Sequence, residues 1–420
     1  MVSAESYSPN SPPRPVGPAR SSEHVLERLV APPGRRDRVT HVEVIPARLA
    51  RATPWPGWVC PDIIHAYARL RIDFPWTHQI EAAQLARDDQ HVVIASGTAS
   101  GKSLAYQLPV LQALIDGTPN RGRLEPATAL YLSPTKALAA DQLRALDELA
   151  LPGITAATYD GDTPFDERSW IRAHANLVLA NPDLVHRSML PAHRQWASFF
   201  RGLRFVVIDE CHGYRGVFGA HVAQIIRRLR RVAARYGSSP VFVLASATVS
   251  EPAVSASRLV GLDVAAVTDD ASPRGAARFV LWEPPLMAGL AGAREAAVRR
   301  SASAETADLL ADLVIDGVRT LAFVRSRRGA EAVALAARRA LDEVGGNLGR
   351  QVAAYRAGYL PEERRALERA LRHGTIVGLA ATTALELGVD VSGLDAVLLA
   401  GFPGTRASMW QQAGRAGRAG

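Results

Sequence analysis

The sequence predicts an α/β protein made of two successive parallel sheets, each covered by helices on both faces. Apolar runs of strand length alternate with helical patterns along most of the 420 residues, which is typical of parallel sheets. The alternation resumes after a polar stretch at 268–275 that contains Asp, Pro and Gly and predicts an interdomain linker. Hydrophobic residues make up 48% of the chain and charged residues 21%, enough apolar material for globular domains.

Before the first series the chain is less regular. Residues 1–22 are rich in Pro, Ser and Arg and predict a disordered tail. Residues 23–54 form an N-terminal extension without an assigned role, in which a helix over 23–29 and a strand over 42–45 are predicted. The first domain is predicted over 55–270. Its expected strands are His91–Ala95, Ala127–Ser133, Asn176–Ala180, Phe205–Ile208 and Val241–Ala245, with Asp263–Val267 as the last.

The second domain is predicted over 271–420. Its expected strands are Phe279–Trp282, Thr320–Val324, Val352–Tyr355, Thr375–Ala380 and Ala396–Ala400. Its expected helices are Ala304–Asp316, Gly329–Val344 and Pro361–His373. The sequence stops at Gly420 within a helical pattern, so we expect it to be a fragment of a longer protein.

Bulk composition narrows the class of protein. The net charge of +8 and a pI near 9.9 favour a polyanionic partner. Cys60 and Cys211 are the two cysteines, too few for a four-thiolate zinc site or a disulfide framework, and they predict reduced thiols in the cytoplasm. Apolar stretches are too short for a membrane span, and the N-terminus lacks the apolar core of a signal peptide.

The stretch SGTASGKS at Ser96–Ser103 predicts a phosphate-binding loop, because it follows a strand and precedes a helix. Backbone N–H groups at a helix N-terminus attract anions. Lys102 is expected to reach the β- and γ-phosphates of ATP, and the Ser103 hydroxyl to hold Mg²⁺. An ordinary strand-to-helix turn is the alternative. The predicted nucleotide-binding residues are Gly97, Thr98, Ala99, Ser100, Gly101, Lys102 and Ser103.

A second motif, VVIDECH, is acidic: two adjacent carboxylates follow an apolar strand. Asp209 is expected to hold Mg²⁺ through water, and Glu210 to act as the general base for the attacking water. The alternative is that these carboxylates cap the next helix.

With Ser246-Ala247-Thr248 further along, GTASGKS and IDECH resemble the superfamily 2 helicases of the DEAD/H-box type. The resemblance covers about Trp55 to Gly420. It implies two RecA-like domains that clamp ATP between them and grip one nucleic-acid strand. Ser246 and Thr248 would couple hydrolysis to that grip, unless they form only a buried turn.

The same resemblance assigns further positions. Gln79 in FPWTHQ would read adenine, since an amide can donate and accept together; a polar residue at a helix start is the alternative. Residues expected to contact nucleic acid are Pro134, Thr135, Lys136, Asp183, Arg356 and Thr382. Turn-forming residues and a solvated basic surface are the competing interpretations.

Two late motifs complete the nucleotide site that the resemblance implies. In TTALELGVD, Gly388 and Asp390 would shape the nucleotide side. In QQAGRAGR, Gln411, Arg415 and Arg418 are expected to be catalytic, with the two arginines reaching the γ-phosphate across the cleft. Domain closure would then control hydrolysis.

The motif sequences GTASGKS, DECH, RAGY and ALELG are similar to those of a branch of DNA helicases that includes the MrfA and SftH types. That likeness implies 3′ to 5′ movement on single-stranded or tailed duplex DNA, a role in repair, and a C-terminal domain with four zinc-binding cysteines that these residues lack. Two alternatives stay open. An ATP-dependent RNA helicase shares every catalytic residue, and a truncated module could bind ATP and nucleic acid without turnover.

Overall fold

A computed structural model describes residues 21–97, 100–117, 126–287, 298–356, 358–385 and 393–417. The chain divides into two compact units. The central unit is continuous and comprises Leu49–Ser272. The split unit combines the chain up to Arg48 with the chain from Pro273 onward. The predicted domain limits at 55, 270 and 271 stay predictions.

The central unit contains a seven-stranded parallel sheet. In order across the sheet, its strands are β4 (Ala156–Thr158), β5 (Leu177–Ala180), β3 (Thr128–Leu132), β6 (Leu203–Ile208), β7 (Val241–Ser246), β2 (Val92–Ala95) and β8 (Ala265–Val267). All six predicted strands reappear within two residues at each end. β4 was not predicted, because its three residues Ala-Ala-Thr form no apolar run.

Helices cover both faces of this sheet. Successive strand residues point to opposite faces, so Val92 and Tyr131 belong to one apolar cluster while Val93 and Leu130 belong to another. The predicted doubly covered sheet is therefore confirmed. The helices are α2 (Pro61–Arg69), α3 (Thr77–Arg87), α4 (Lys102–Asp116), α5 (Lys136–Leu149), α6 (Phe165–His174), α7 (Pro182–Leu184), α8 (Ala197–Gly202), α9 (Gly216–Arg235) and α10 (Pro252–Val260).

The split unit has a smaller parallel sheet of four strands in the order β11-β12-β10-β13. Ala322 and Ala380 face one apolar cluster, whereas Leu321 and Leu379 face the other. The strands are β10 (Thr320–Phe323), β11 (Val352–Tyr355), β12 (Gly378–Ala381) and β13 (Ala396–Leu399). The helices of this part are α11 (Ala302–Ile315), α12 (Arg327–Val344), α13 (Pro361–Arg372) and α14 (Arg406–Ala413).

The N-terminal extension belongs to the split unit as far as Arg48. Its helix α1 (Ser22–Val30) precedes β1 (Val39–Ile45), which pairs antiparallel with β9 (Ala277–Trp282) in a separate two-stranded sheet. The prediction that Phe279–Trp282 opens the second parallel sheet is therefore wrong. This strand takes its backbone hydrogen bonds from β1 instead, a partner that local sequence patterns do not identify.

A buried carboxylate joins this two-stranded sheet and the residue before it, Arg38, to α11. Glu305 is 3% exposed and accepts hydrogen bonds from Arg38 at 2.5 Å and from Arg300 and Trp282 at 2.8 Å each. A buried carboxylate requires such partners.

Within the described residues, the helices are all too short or too polar to cross a lipid bilayer.

Candidate functional site

The predicted phosphate loop lies between β2 and α4, as the strand–loop–helix pattern indicates. Gly101 adopts φ 64°, a left-handed conformation, and a Cβ atom there would lie 2.4 Å from the Nε2 atom of Gln79. Only glycine meets both demands. The half-buried Lys102 donates from Nζ to the carbonyl oxygens of Gly97 at 2.6 Å and Ser96 at 3.2 Å. Thr98 and Ala99 lie outside the described residues.

Ser96 stands where the strict phosphate-loop pattern has glycine, and the structure shows its contribution. Its hydroxyl lies 2.5 Å from the Ser100 hydroxyl, which donates to the carbonyl oxygen of Gly97 at 2.8 Å. Both serines are buried. This hydroxyl chain fixes the first half of the loop from inside, which a glycine could not do.

Gln79 was expected to read adenine, and that role stays a prediction. Its side chain is 4% exposed. Its Oε1 atom accepts from the backbone N–H of Trp76 at 2.8 Å, and its Nε2 atom donates to the carbonyl oxygen of Gly101 at 2.9 Å. The amide thus ties the start of α3 to the end of the phosphate loop.

The adjacent His78, which the sequence did not single out, also supports the loop. Its buried Nε2 atom lies 3.0 Å from the carbonyl oxygen of Ser100. Asp270 also contacts the loop and accepts a hydrogen bond from the backbone N–H of Gly97 at 3.4 Å. The loop is therefore held by residues distant in sequence.

Asp209 and Glu210 follow β6 at the carboxyl edge of the sheet. Asp209 is 7% exposed. One of its oxygens accepts from the backbone N–H of Glu210 at 2.8 Å and the other from the hydroxyl of Tyr131 at 2.5 Å. Burial and the charge of Glu210 raise the pKa of Asp209 to about 6. A cation bound beside this carboxylate would favour its ionised form.

Tyr106 connects this acidic motif to the phosphate loop. Its hydroxyl lies 3.2 Å from the Oγ atom of Ser103 and 3.4 Å from the Oδ2 atom of Asp209. The two residues predicted to hold Mg²⁺ are thus joined through one tyrosine. Tyr106 and Tyr131 were missed because each lies in an apolar run, where a tyrosine signals core packing.

His212 connects the acidic motif to the Ser-Ala-Thr motif. Its Nδ1 atom lies 3.2 Å from the Oε2 atom of Glu210 and accepts from the backbone N–H of Ala247 at 3.2 Å. Glu210 itself has φ 48°, an unusual conformation for a residue with a Cβ atom. Ser246 is buried and Thr248 is exposed.

The residues predicted to contact nucleic acid in the central unit lie at strand ends. The Thr135 hydroxyl accepts from the backbone N–H of Leu138 at 3.2 Å and caps α5. Lys136 is exposed, and its Nζ atom lies 2.5 Å from Asp162 and 3.7 Å from Asp160. Pro134 is half-buried beside them, and Asp183 is exposed in α7. Each keeps its predicted role as a proposal.

The corresponding residues of the split unit have defined neighbours. Arg356 donates to Glu331 at 2.7 Å and lies over the ring of Tyr359. Thr382 follows β12, and its backbone N–H donates to the carbonyl oxygen of Tyr355 at 3.4 Å. Gln411 and Arg415 are buried at 3% and 6% exposure. Gly388, Asp390 and Arg418 lie outside the described residues.

Comparison with known families identifies both halves of the chain. Residues 76–256 match the DEAD/DEAH box helicase family, and residues 305–420 match the helicase conserved C-terminal domain. The first match includes the phosphate loop and the Asp209-Glu210 pair. The second includes Thr382 and the stretch with Gln411 and Arg415.

Individual relatives agree with these matches. The uncharacterized ATP-dependent helicase YprA of Bacillus subtilis is 41% identical over 94% of this chain and 51% of its own length. The ATP-dependent helicase HRQ1 of Saccharomyces cerevisiae is 36% identical over 94% of this chain and 36% of its own length. The chain thus spans about half, or less, of these two relatives.

Solved structures show the same similarity. The DUF1998 helicase MrfA bound to DNA and AMPPNP superposes with a TM-score of 0.84 at 39% identity, covering 95% of this chain and 54% of that chain. Lhr helicase of Mycobacterium smegmatis, bound to single-stranded DNA and AMP-PNP, superposes with a TM-score of 0.64 at 23% identity, covering 86% of this chain and 46% of that chain, and supports the fold. The chain belongs to the superfamily 2 helicases of the DEAD/H-box type.

Proposed function

We propose that this chain is the motor region of an ATP-dependent DNA helicase or translocase that moves along a single strand. The observation that carries the proposal is the set of contacts within the central unit that runs from Ser103, next to Lys102 in the phosphate loop, through Tyr106 to Asp209 and Glu210. The similarity to MrfA, solved with DNA and AMPPNP, supports both the nucleotide and the nucleic acid.

The residues present fit ATP and Mg²⁺. Gly101 leaves a left-handed turn without a Cβ atom at the start of α4, where backbone N–H groups can receive a phosphate. Ser103 and Asp209 supply the oxygen ligands that Mg²⁺ prefers and would hold it, directly or through water. Bound Mg²⁺ would offset the negative charge on the phosphates.

Each protein group then has a task. Lys102 would leave the carbonyl oxygens of Ser96 and Gly97 and donate to phosphate oxygens. Glu210 would accept the proton of the attacking water. The hydrogen bond from Ala247 to His212 would tie the acidic motif to the coupling motif that includes Ser246 and Thr248. Arg415 and Arg418 would stabilise charge on the γ-phosphate, while Gln79, Gly388 and Asp390 would shape the nucleotide pocket.

For the nucleic acid we propose backbone contacts that do not depend on base sequence. Thr135, Lys136, Asp183, Arg356 and Thr382 carry hydroxyl, cationic or carboxylate groups near strand ends. The net charge of +8 favours such a polyanion. We further propose 3′ to 5′ polarity, a role in DNA repair and a cytoplasmic location.

The decisive experiment measures ATP turnover by this chain alone, with single-stranded DNA and with RNA of the same sequence, using Lys102→Ala as the inactive reference. Stimulation by DNA and not by RNA supports the proposal. Equal stimulation by RNA favours an RNA helicase, and nucleotide binding without turnover favours a binding module. Duplexes with a 3′ or a 5′ tail then test the polarity.

A further inference from the structure

Two buried tyrosine hydroxyls converge on one oxygen of Asp209. Tyr131, the next-to-last residue of β3, places its hydroxyl 2.5 Å from the Oδ2 atom. Tyr106, in the second turn of α4, places its hydroxyl 3.4 Å from the same atom. Both tyrosines are 3% exposed, and their ring centroids are 5.9 Å apart. Two separate elements therefore aim at a single carboxylate oxygen.

The other oxygen of this carboxylate is also engaged. The Oδ1 atom accepts from the backbone N–H of Glu210 at 2.8 Å. With Oδ1 and Oδ2 both bonded, the plane of the carboxylate is fixed relative to the sheet. Such fixed orientation is what residues around a metal ligand supply in metal sites generally.

The hydroxyls do more than packing requires. The rings of Tyr106 and Tyr131 lie in the same apolar cluster as Ala129, Val207 and Val243. A phenylalanine would fill the same volume and bury the same carbon atoms. What the two hydroxyls add is hydrogen bonding to the groups predicted to face Mg²⁺.

Tyr106 also reaches the second of those groups. Its hydroxyl lies 3.2 Å from the Oγ atom of Ser103, one helical turn earlier. A phenol has a single proton to donate, so Tyr106 donates to either Ser103 or Asp209 at one time. The position of the Ser103 hydroxyl and that of the Asp209 carboxylate are therefore coupled through Tyr106.

We infer that Tyr131 is a positioning residue that holds the Asp209 carboxylate towards nucleotide-bound Mg²⁺, with Tyr106 coordinating that carboxylate's position to the Ser103 hydroxyl. This inference rests on the proposed function. It adds two residues to a nucleotide site that the sequence motifs leave to Ser103 and Asp209 alone. A purely structural role, in which the hydroxyls only satisfy a buried carboxylate, is the competing explanation.

The two explanations differ in how Mg²⁺ affects nucleotide binding. We would measure the affinity for a fluorescent, non-hydrolysable ATP analogue in Mg²⁺ and in EDTA, for the wild-type chain and for Tyr131→Phe. Removing a group that orients a metal ligand weakens metal binding by roughly 10-fold to 100-fold. We expect Tyr131→Phe to lose roughly tenfold of the Mg²⁺-dependent gain in affinity, with the affinity in EDTA unchanged.

Tyr159→Phe is the matched control. Tyr159 is 2% exposed, lies in the same unit and places its hydroxyl 2.8 Å from that of Ser188, in the apolar cluster on the other face of the sheet. Both variants should lose similar stability, so thermal unfolding separates folding from positioning. Tyr106→Phe is a second test, with a smaller expected loss because its contact with Asp209 is longer.

The outcomes are distinct. The inference is overturned if Tyr131→Phe keeps the full Mg²⁺-dependent gain, or if Tyr159→Phe loses as much. It is also overturned if Tyr131→Phe weakens the Mg²⁺ dependence equally in an Asp209→Asn background, where no carboxylate remains to be positioned. Absence of any nucleotide binding by the wild-type chain overturns the proposed function itself.

Discussion

The Nδ1 atom of His78 accepts a hydrogen bond from the backbone N–H of Ala271 at 3.1 Å. Because Nδ1 is the acceptor, the ring proton resides on Nε2, which donates to the carbonyl oxygen of Ser100 at 3.0 Å. One buried imidazole therefore connects the phosphate loop to the segment where the chain leaves the central unit after Ser272.

We predict that His78→Ala weakens both folding and nucleotide binding. The substitution leaves a buried N–H of Ala271 and a buried carbonyl of Ser100 without this partner, at a cost of about 1–3 kcal/mol. Urea unfolding and nucleotide affinity would be measured beside His65→Ala, which changes an exposed histidine of α2. Equal behaviour of the two variants would contradict a supporting role for His78.

Lys102→Ala is expected to abolish ATP hydrolysis while the chain stays folded. The lysine is half-buried and bonded to two loop carbonyls, so its removal costs little packing but deletes the cation that would meet the phosphates. The measurement is phosphate release, with thermal unfolding as the check on folding. Arg144→Ala, an exposed cation on α5, serves as the control and should retain turnover; full activity of Lys102→Ala would refute the site.

Glu210→Gln should bind ATP and fail to turn it over. The amide has the same shape as the carboxylate but cannot accept the proton of water, a loss of roughly 10²–10⁴ in rate for a general base. Nucleotide affinity and single-turnover hydrolysis would be measured on the same preparation. If binding is lost together with turnover, Glu210 has a structural role in the turn that it enters with φ 48°.

Glu305→Ala is expected to destabilise the split unit. The substitution strips Arg38, Arg300 and Trp282 of a common buried acceptor, and breaking a buried ion pair costs about 3–5 kcal/mol. Asp308→Asn is the control, since this carboxylate pairs with the same Arg300 but its side chain is 45% exposed, and exposed pairs contribute about 0–1 kcal/mol. The measurement is the free energy of unfolding of both variants in urea. Equal losses in the two variants would contradict the stabilising role of the buried network.

The same carboxylate predicts a pH dependence. Burial acts to raise the pKa of Glu305, but the hydrogen bonds from Trp282, Arg38 and Arg300 together outweigh it and hold the pKa below its usual value of 4.5. A lowered pKa means that this stabilisation is complete above pH 4.5 and is lost as the pH falls through the folded-state pKa. The unfolding free energy of the wild-type chain should therefore fall more steeply in acid than that of Glu305→Gln; parallel curves would argue against it.

The features that could be predicted from the sequence are those that short stretches of it encode. Strand runs such as Val241–Ala245 and the loop from Ser96 to Ser103 carry their own signals in composition and glycine placement. The roles of Tyr131 and His78 depend on partners distant in the chain, Asp209 and Ala271, and neither partner alters the local pattern around them. The local pattern predicts core packing for a tyrosine inside an apolar strand, whether or not its hydroxyl orients a carboxylate.

The β1–β9 pairing escaped prediction for the same reason, and it also orders events during synthesis. Residues of β1 leave the ribosome before any of the central unit, while β9 follows only after Ser272. At a synthesis rate of roughly 5–20 residues per second, β9 is synthesised on the order of tens of seconds after β1, and in that time β1 lacks its partner strand. The central unit has time to fold in that interval. The split unit, whose first strand is synthesised before the central unit, is therefore completed last. Until then β1 presents an unpaired strand edge, and a nascent chain is most exposed to misassociation while such an edge is unpaired.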